Sequence, residues 1–309
     1  MTQTRGVHSI DHFSLFVPSL AEAEYFYRSF GLITENKETE LTLTAGDGHL
    51  WAKIYPAERK SLAYISFNCY PQDYEFLLQQ VRACGIQPEI VPHEGFWFSD
   101  PEGNRLNIKP GEKTIPDSKR IPPTRVSVAD KRGTVTRDAV DKVEPHRLSH
   151  LLLFTADVPR AIAFYQQTLG LNLSDFSQDI IAFMHARHGC DHHLVAFAKS
   201  SGKGFHHAAW EVDSIDEVGN GATQMAAAGF KDGWGTGRHC LGSNYFHYVR
   251  DPWGSFCEYS ADIDFISANI NWPTGDFLPE NSLYLWGPDV PAYFIHNTEI
   301  DGYKCPVSS

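Results

Sequence analysis

Several hallmarks of common protein classes are missing from this sequence. No run approaches the ~20 consecutive apolar residues that a membrane-spanning helix needs, so no helical span and no membrane partner are expected. Positive charge is in deficit: 26 Lys and Arg stand against 38 Asp and Glu, a formal net charge of −12. Nucleic acid or an anionic membrane as main partner would call for a basic patch, and neither is expected. Cys69, Cys84, Cys190, Cys240, Cys257 and Cys305 form no CxxC pair and no evenly spaced framework. The opening Met1-Thr2-Gln3-Thr4-Arg5 has no apolar signal core, so a reduced, cytoplasmic setting is expected. There is no Ser nucleophile elbow and no paired-carboxylate signature. Gly229, Gly233, Gly235, Gly237 and Gly242 are expected to frame a loop, yet no P-loop Lys-Ser/Thr follows them.

What the chain does contain is an internal repeat. Its 309 residues, 42% hydrophobic, are enough for two cores. Ile10-Asp11-His12-Phe13-Ser14-Leu15-Phe16-Val17 matches Leu148-Ser149-His150-Leu151-Leu152-Leu153-Phe154-Thr155, and both read as strands. Each is followed by a short helical stretch stopped by Gly31-Leu32 or Gly170-Leu171, Gly being the expected helix terminator. Leu62 to Phe67 then pairs with Phe205 to Trp210, each leading into a second helix, about 72–84 and 214–228. Ser19 with Glu22 and Ser214 with Glu217 have capping-box spacing. Both copies close on an Asp-Pro-x-Gly turn, at Asp100 and at Asp251, before a last strand. The expected organisation is a first domain over 1–112, a Pro-rich exposed linker over 113–145, a second domain over 146–265, and a segment over 266–309. That last segment is too aromatic to be a disordered tail, so it should cover a pocket or form a subunit contact.

The copies differ where chemistry is concerned. His150, His207 and Glu258 occupy three equivalent strand positions, whose counterparts in the first copy are His12, Tyr64 and Asn107. Two imidazoles and a carboxylate form the set that holds non-haem Fe(II) on one face and leaves positions open for substrate and dioxygen; Mn(II) accepts the same donors. The first copy therefore reads as scaffold. Strand alternation puts His207 on the concave face with His206 pointing away, sets Ala208, Trp210 and Val212 toward the helices, and groups His150, Leu152 and Phe154 on one face. Phe256 and Glu258 share a face in the last strand. Phe183 and Met184 should line the pocket or the core.

The second copy resembles the catalytic module of the type I extradiol ring-cleavage dioxygenases of the vicinal oxygen chelate superfamily. The resemblance rests on Leu148-Ser149-His150, Asp191-His192-His193-Leu194, Phe205-His206-His207, Gly237-Arg238-His239 and Asp251-Pro252-Trp253-Gly254 with Glu258-Tyr259. It implies an α+β fold of tandem paired βαβββ modules, each pair curling a mixed sheet around a funnel, with Fe(II) only in the C-terminal funnel. It implies a small aromatic diol as substrate, O2 as cosubstrate and a homo-oligomer. It also implies that His193 is the acid and base, with His239 and Tyr248 bonding substrate oxygen. His192 is expected on the opposite face, at the surface or behind the site, with little effect when replaced. His185, His188 and His247 match no position the family uses. Trp234 stands where homoprotocatechuate-type enzymes carry a carboxylate-binding Arg, and Leu152 where that branch often has Asn. Both changes favour an apolar ring substituent. Two readings compete: a glyoxalase-like or thiol-transferase-like metalloenzyme, which usually uses other ligands and lacks the His193, His239 and Tyr248 set, and a non-catalytic binding protein, which would lose the metal.

Overall fold

The computed structural model describes residues 4–121 and 127–301; Met1, Thr2, Gln3, Pro122, Pro123 and Cys305 lie outside them. Two mixed sheets of matching strand order make up the α+β architecture. The first runs Ile33–Asn36, Leu41–Thr44, Leu50–Pro56, Val7–Val17, Ser61–Cys69, Arg105–Pro110, Gly95–Ser99 and Glu89–Val91. The second runs Asn172–Ser177, Ile181–His185, Val195–Lys199, Arg147–Thr155, Gly204–Glu211, Phe256–Ala261, Tyr245–Arg250 and Gly233–His239, then adds Tyr284–Trp286 at its edge. In each sheet two βαβββ units meet through an antiparallel central pair, Val7–Val17 with Ser61–Cys69 and Arg147–Thr155 with Gly204–Glu211. Among the described residues no helix is long and apolar enough to cross a membrane.

The helices follow their local chemistry. Ser19 accepts from the Glu22 N–H and Ser214 from the Glu217 N–H, capping Leu20–Phe30 and Ile215–Ala227. Gly31 and Gly170 end the first helix of each copy in the left-handed conformation, where Gly costs least. Asp100 and Asp251 each accept backbone N–H groups two and four residues on, which shapes both Asp-Pro-x-Gly turns alike. Residues 127–142 are exposed, with a single 3-10 turn at Arg137–Ala139.

The strands Arg147–Thr155 and Phe256–Ala261 are buried along their whole length. Their alternate residues therefore serve two different packings. Leu151, Leu153, Cys257 and Tyr259 enter the core, whereas His150, Leu152 and Glu258 face the concave side. Tyr259 reaches into the first half, where its ring stacks on Phe30 with centroids 3.9 Å apart and its hydroxyl donates to the Phe30 carbonyl at 2.7 Å. Lys60, also from the first half and buried, donates to the Phe205 carbonyl at 2.8 Å and pairs with Glu299 at 2.7 Å.

Candidate functional site

The three candidate donors converge. His150 Nε2 and His207 Nε2 each lie 3.4 Å from Glu258 Oε2, and all three residues are buried. Ala209 is the register partner of both His150 and Glu258, just as Ser66 is of His12 and Asn107, which sets these positions in equivalent places in the two copies. In the first copy the same positions are spent on one another. His12 bonds Asp11 at 2.6 Å and Tyr64 at 3.0 Å, and Asn107 accepts from Ser66 while donating to the Glu94 and Phe96 carbonyls.

The second copy instead leaves His207 Nε2 and Glu258 Oε2 buried with no hydrogen-bond partner. Orphaned polar atoms of this kind are costly, and a cation among them removes the cost. Both histidine nitrogens stand 3.4 Å from the one carboxylate oxygen, within reach of an ion that all three would share. The donor set fits a divalent metal ion. The other described cluster of metal-binding residue types, His146 with Asp213 and Glu217, is half-buried and already internally bonded.

Hydrogen bonds behind the imidazoles fix which nitrogen is bare. Arg147 grips the Asp191 carboxylate, and Ser149 donates to that carboxylate at 2.7 Å. The Ser149 oxygen is thus left to accept from His150 Nδ1 at 3.2 Å, so His150 Nε2 presents its lone pair. His206 repeats the pattern for His207, and here the simple strand phase is corrected. The pairing shifts by a residue between Phe205 and His207, so the bulged His206 turns into the cavity instead of away from it. Its Nε2 meets the Phe294 carbonyl at 2.7 Å and must donate, its Nδ1 then accepts from His207 Nδ1 at 2.6 Å, and His207 Nε2 is bare. Burial, helped by neighbouring imidazoles, holds His207 far below the usual imidazole range, the neutral form a metal needs.

Asn244, which sequence reasoning missed, orients the carboxylate. Its amide donates to Glu258 Oε1 and to Ser260 Oγ, both at 2.9 Å. No local pattern marks it.

His193 lies against the donors, its ring centroid 3.9 Å from that of His150. It is fully enclosed, and burial followed by the His150 and His192 imidazoles keeps it well below the ordinary histidine range. His192 is not at the surface. It has no exposed area, and its Nδ1 touches His193 Nδ1 at 3.1 Å. Both fall in the irregular stretch after Cys190–Asp191, where strand alternation does not apply.

His239 Nδ1 bonds the Leu283 carbonyl at 2.6 Å, which leaves Nε2 to accept from the Tyr248 hydroxyl at 2.8 Å. Burial raises Tyr248 well above the normal tyrosine range, and nearby Glu258 adds to it, so the hydroxyl stays a donor.

His150, His193, His207, His239, Asn244 and Tyr248 line a cavity of about 310 Å³. Leu152, Phe183, Phe154, Ile181 and Leu241 form much of its wall, and Met184 lies on the core side. Trp234 corrects the expectation that it faces substrate. It sits behind Tyr248, stacked at 5.6 Å, with its indole N–H given to the Pro288 carbonyl. Of the glycines expected to frame a loop, Gly233, Gly235 and Gly237 lie in the strand Gly233–His239 while Gly229 and Gly242 fall outside it; a Cβ at Gly233 would sit 1.9 Å from the Tyr248 carbonyl oxygen, so only Gly fits there. Of the segment expected to cover a pocket or form a subunit contact, Leu283, Phe294 and Ile295 reach the cavity, while Trp286 is 44% exposed on the edge strand. His185, His188 and His247 are not among its described lining residues.

Residues 147–259 match the family model of the Glyoxalase/Bleomycin resistance protein/Dioxygenase superfamily. Metapyrocatechase 2 of Cupriavidus necator is 54% identical over 298 residues, spanning 95% of this chain and 93% of that protein. Among solved structures, a variant of homoprotocatechuate 2,3-dioxygenase from Brevibacterium fuscum superposes with a TM-score of 0.75 at 20% identity, covering 96% of this chain and 84% of that one. The Mn(II)-bound glyoxalase from Novosphingobium aromaticivorans gives 0.74 at 21% identity, covering 94% and 95%.

Proposed function

As this chain belongs to the extradiol ring-cleavage dioxygenases of the glyoxalase, bleomycin resistance protein and dioxygenase superfamily, metal-dependent enzymes that open aromatic diols with O2, we propose that it works with Fe(II) held by His150, His207 and Glu258. The observation that carries this reading is the meeting of three bare donors, two of them orphaned, beside an apolar cavity that His150 and His207 line. When bound, Fe(II) supplies a Lewis acid for the two substrate hydroxyls and an open position for dioxygen.

The protein's own groups do the rest. His193, neutral and facing the cavity, takes a proton from a diol hydroxyl and later returns it to a leaving oxygen. Tyr248 and His239 form a hydrogen-bonded pair that orients oxygen atoms of the substrate. Asn244 holds the Glu258 carboxylate in place. The segment after residue 265 covers the cavity with Leu283, Phe294 and Ile295 and excludes water. Leu285 and Ile295, 68% and 70% exposed, also suit contact between copies in a homo-oligomer. The unpaired described cysteines suit a cytoplasmic setting.

The test is to add Fe(II), or Mn(II) in a parallel sample, to metal-free protein under anaerobic conditions and mix it with substituted catechols and hydroquinones in air-saturated buffer. A coloured ring-fission product matched by oxygen uptake, stronger with Fe(II), is expected. Equal activity without added metal would overturn the proposal.

The cavity also points to an apolar ring substituent. Lys199 is the only Lys or Arg among its described lining residues, and its ammonium is already paired with Asp179 at 2.6 Å. Burying a substrate carboxylate beside Leu152 and Phe183 costs several kcal/mol, while an alkyl group gains ~0.8 kcal/mol per methylene. Methyl- and phenyl-catechols should therefore show kcat/KM at least ~10-fold above a carboxymethyl-catechol. Steady-state kinetics decide this, and a higher value for the carboxylate would refute it.

A further inference from the structure

We propose that Asp175, acting through His192, is a positioning residue that keeps the ring hydrogen of His193 on Nδ1, so that the bare Nε2 faces the cavity. For its catalytic meaning this rests on the acid and base reading of His193. The tautomer itself is a separate claim, carried by hydrogen bonds on the far side of the ring.

The argument runs inward from the carboxylate. Asp175 is buried, and three donors surround it: the Gly275 N–H at 2.8 Å from Oδ1, the Trp272 indole N–H at 3.2 Å from Oδ2, and His192 Nε2 at 2.8 Å from Oδ2. An ionised carboxylate only accepts, so His192 Nε2 carries a hydrogen. A neutral imidazole carries one, which leaves His192 Nδ1 as a lone pair. That lone pair stands 3.1 Å from His193 Nδ1, and a contact of this length between two ring nitrogens needs one hydrogen between them. It comes from His193. The remaining nitrogen of His193, Nε2, is then bare.

A free imidazole prefers its hydrogen on Nε2, so the buried chain reverses the default. In the proposed reaction the substrate O–H bond breaks, an Nε2–H bond forms, and no electrons change hands. The resulting cation donates through Nδ1 to His192, with the Asp175 charge one ring further on. Trp272 and Gly275 both belong to the segment after residue 265, which thereby reaches the acid–base group as well as the cavity wall.

The same chain of donors and acceptors gives the test. In the double variant Asp175→Asn with Trp272→Phe, which removes the second donor at Oδ2, Oδ1 keeps the Gly275 N–H and Nδ2 becomes a donor to His192 Nε2. The hydrogen of His192 must then move to Nδ1, and that of His193 to Nε2. Full-length protein charged with Zn(II), whose closed shell keeps signals narrow, and labelled with 15N-histidine reports both tautomers by long-range 1H–15N correlation at pH 8. The His193 signals are assigned by their loss in His193→Phe. Unaltered protein should show the hydrogen on His193 Nδ1 and the double variant should show it on Nε2, with kcat of the Fe(II) form lowered about 10–100-fold and KM little changed. A hydrogen on Nε2 in the unaltered protein overturns the proposal, and this measurement stands even if the variant misfolds. An unswitched tautomer in the variant overturns it too. A switched tautomer with unchanged kcat supports the positioning role and removes the acid–base role of His193 instead.

Discussion

Replacing His150, His207 or Glu258 by alanine should strip the protein of iron and abolish ring cleavage, whereas His12→Ala should leave the iron content unchanged. Each of the three supplies one bare donor to a shared point, and losing one exposes the other two to an incomplete shell. His12 already has partners on both ring nitrogens, so it offers a metal nothing. Metal analysis of anaerobically purified variants, with circular dichroism to verify the fold, makes the comparison. The assignment of the active half is wrong if His12→Ala loses iron and His150→Ala keeps it.

Replacing His193 by phenylalanine should give the opposite signature, with iron retained and turnover slowed by about 10²–10⁴, the usual span for a lost general acid–base group. The phenyl ring keeps the contacts that His193 makes with His150 and with Phe183, whose centroid is 4.9 Å away. What disappears is the proton carrier. Single-turnover measurements on the iron-loaded variant isolate that step, and an unchanged rate would show that His193 moves no proton.

The repeat was readable in the sequence because its punctuation is local. Gly31 and Gly170, the Ser19 and Ser214 caps and the two Asp-Pro-x-Gly turns each act within a few residues of themselves. Register then carried His150, His207 and Glu258 to one point, since alternation holds wherever a strand is regular. It failed where the backbone is not: at the bulge that turns His206 inward and in the irregular stretch that holds His192 and His193. Asn244 and Asp175 were invisible for another reason, because their partners are distant in sequence. The carbonyls of Leu283 and Phe294 are harder still, since any residue can supply a backbone acceptor. Trp234 shows the reverse error, a side chain assigned to substrate by position although its strand buries it behind Tyr248.

The Phe30 contact of Tyr259 gives the first half, whose equivalent positions are bonded to one another, a bearing on the site in the second. Glu258 and Tyr259 are neighbours on one strand, so the residue that faces the donors and the residue seated on the first half cannot move independently. In the first copy Asn107 is held by bonds within its own half, whereas Phe30 is spent on the strand that carries Glu258. A substitution at Phe30 would therefore unseat the strand one residue from the donor carboxylate, although Phe30 itself touches no donor.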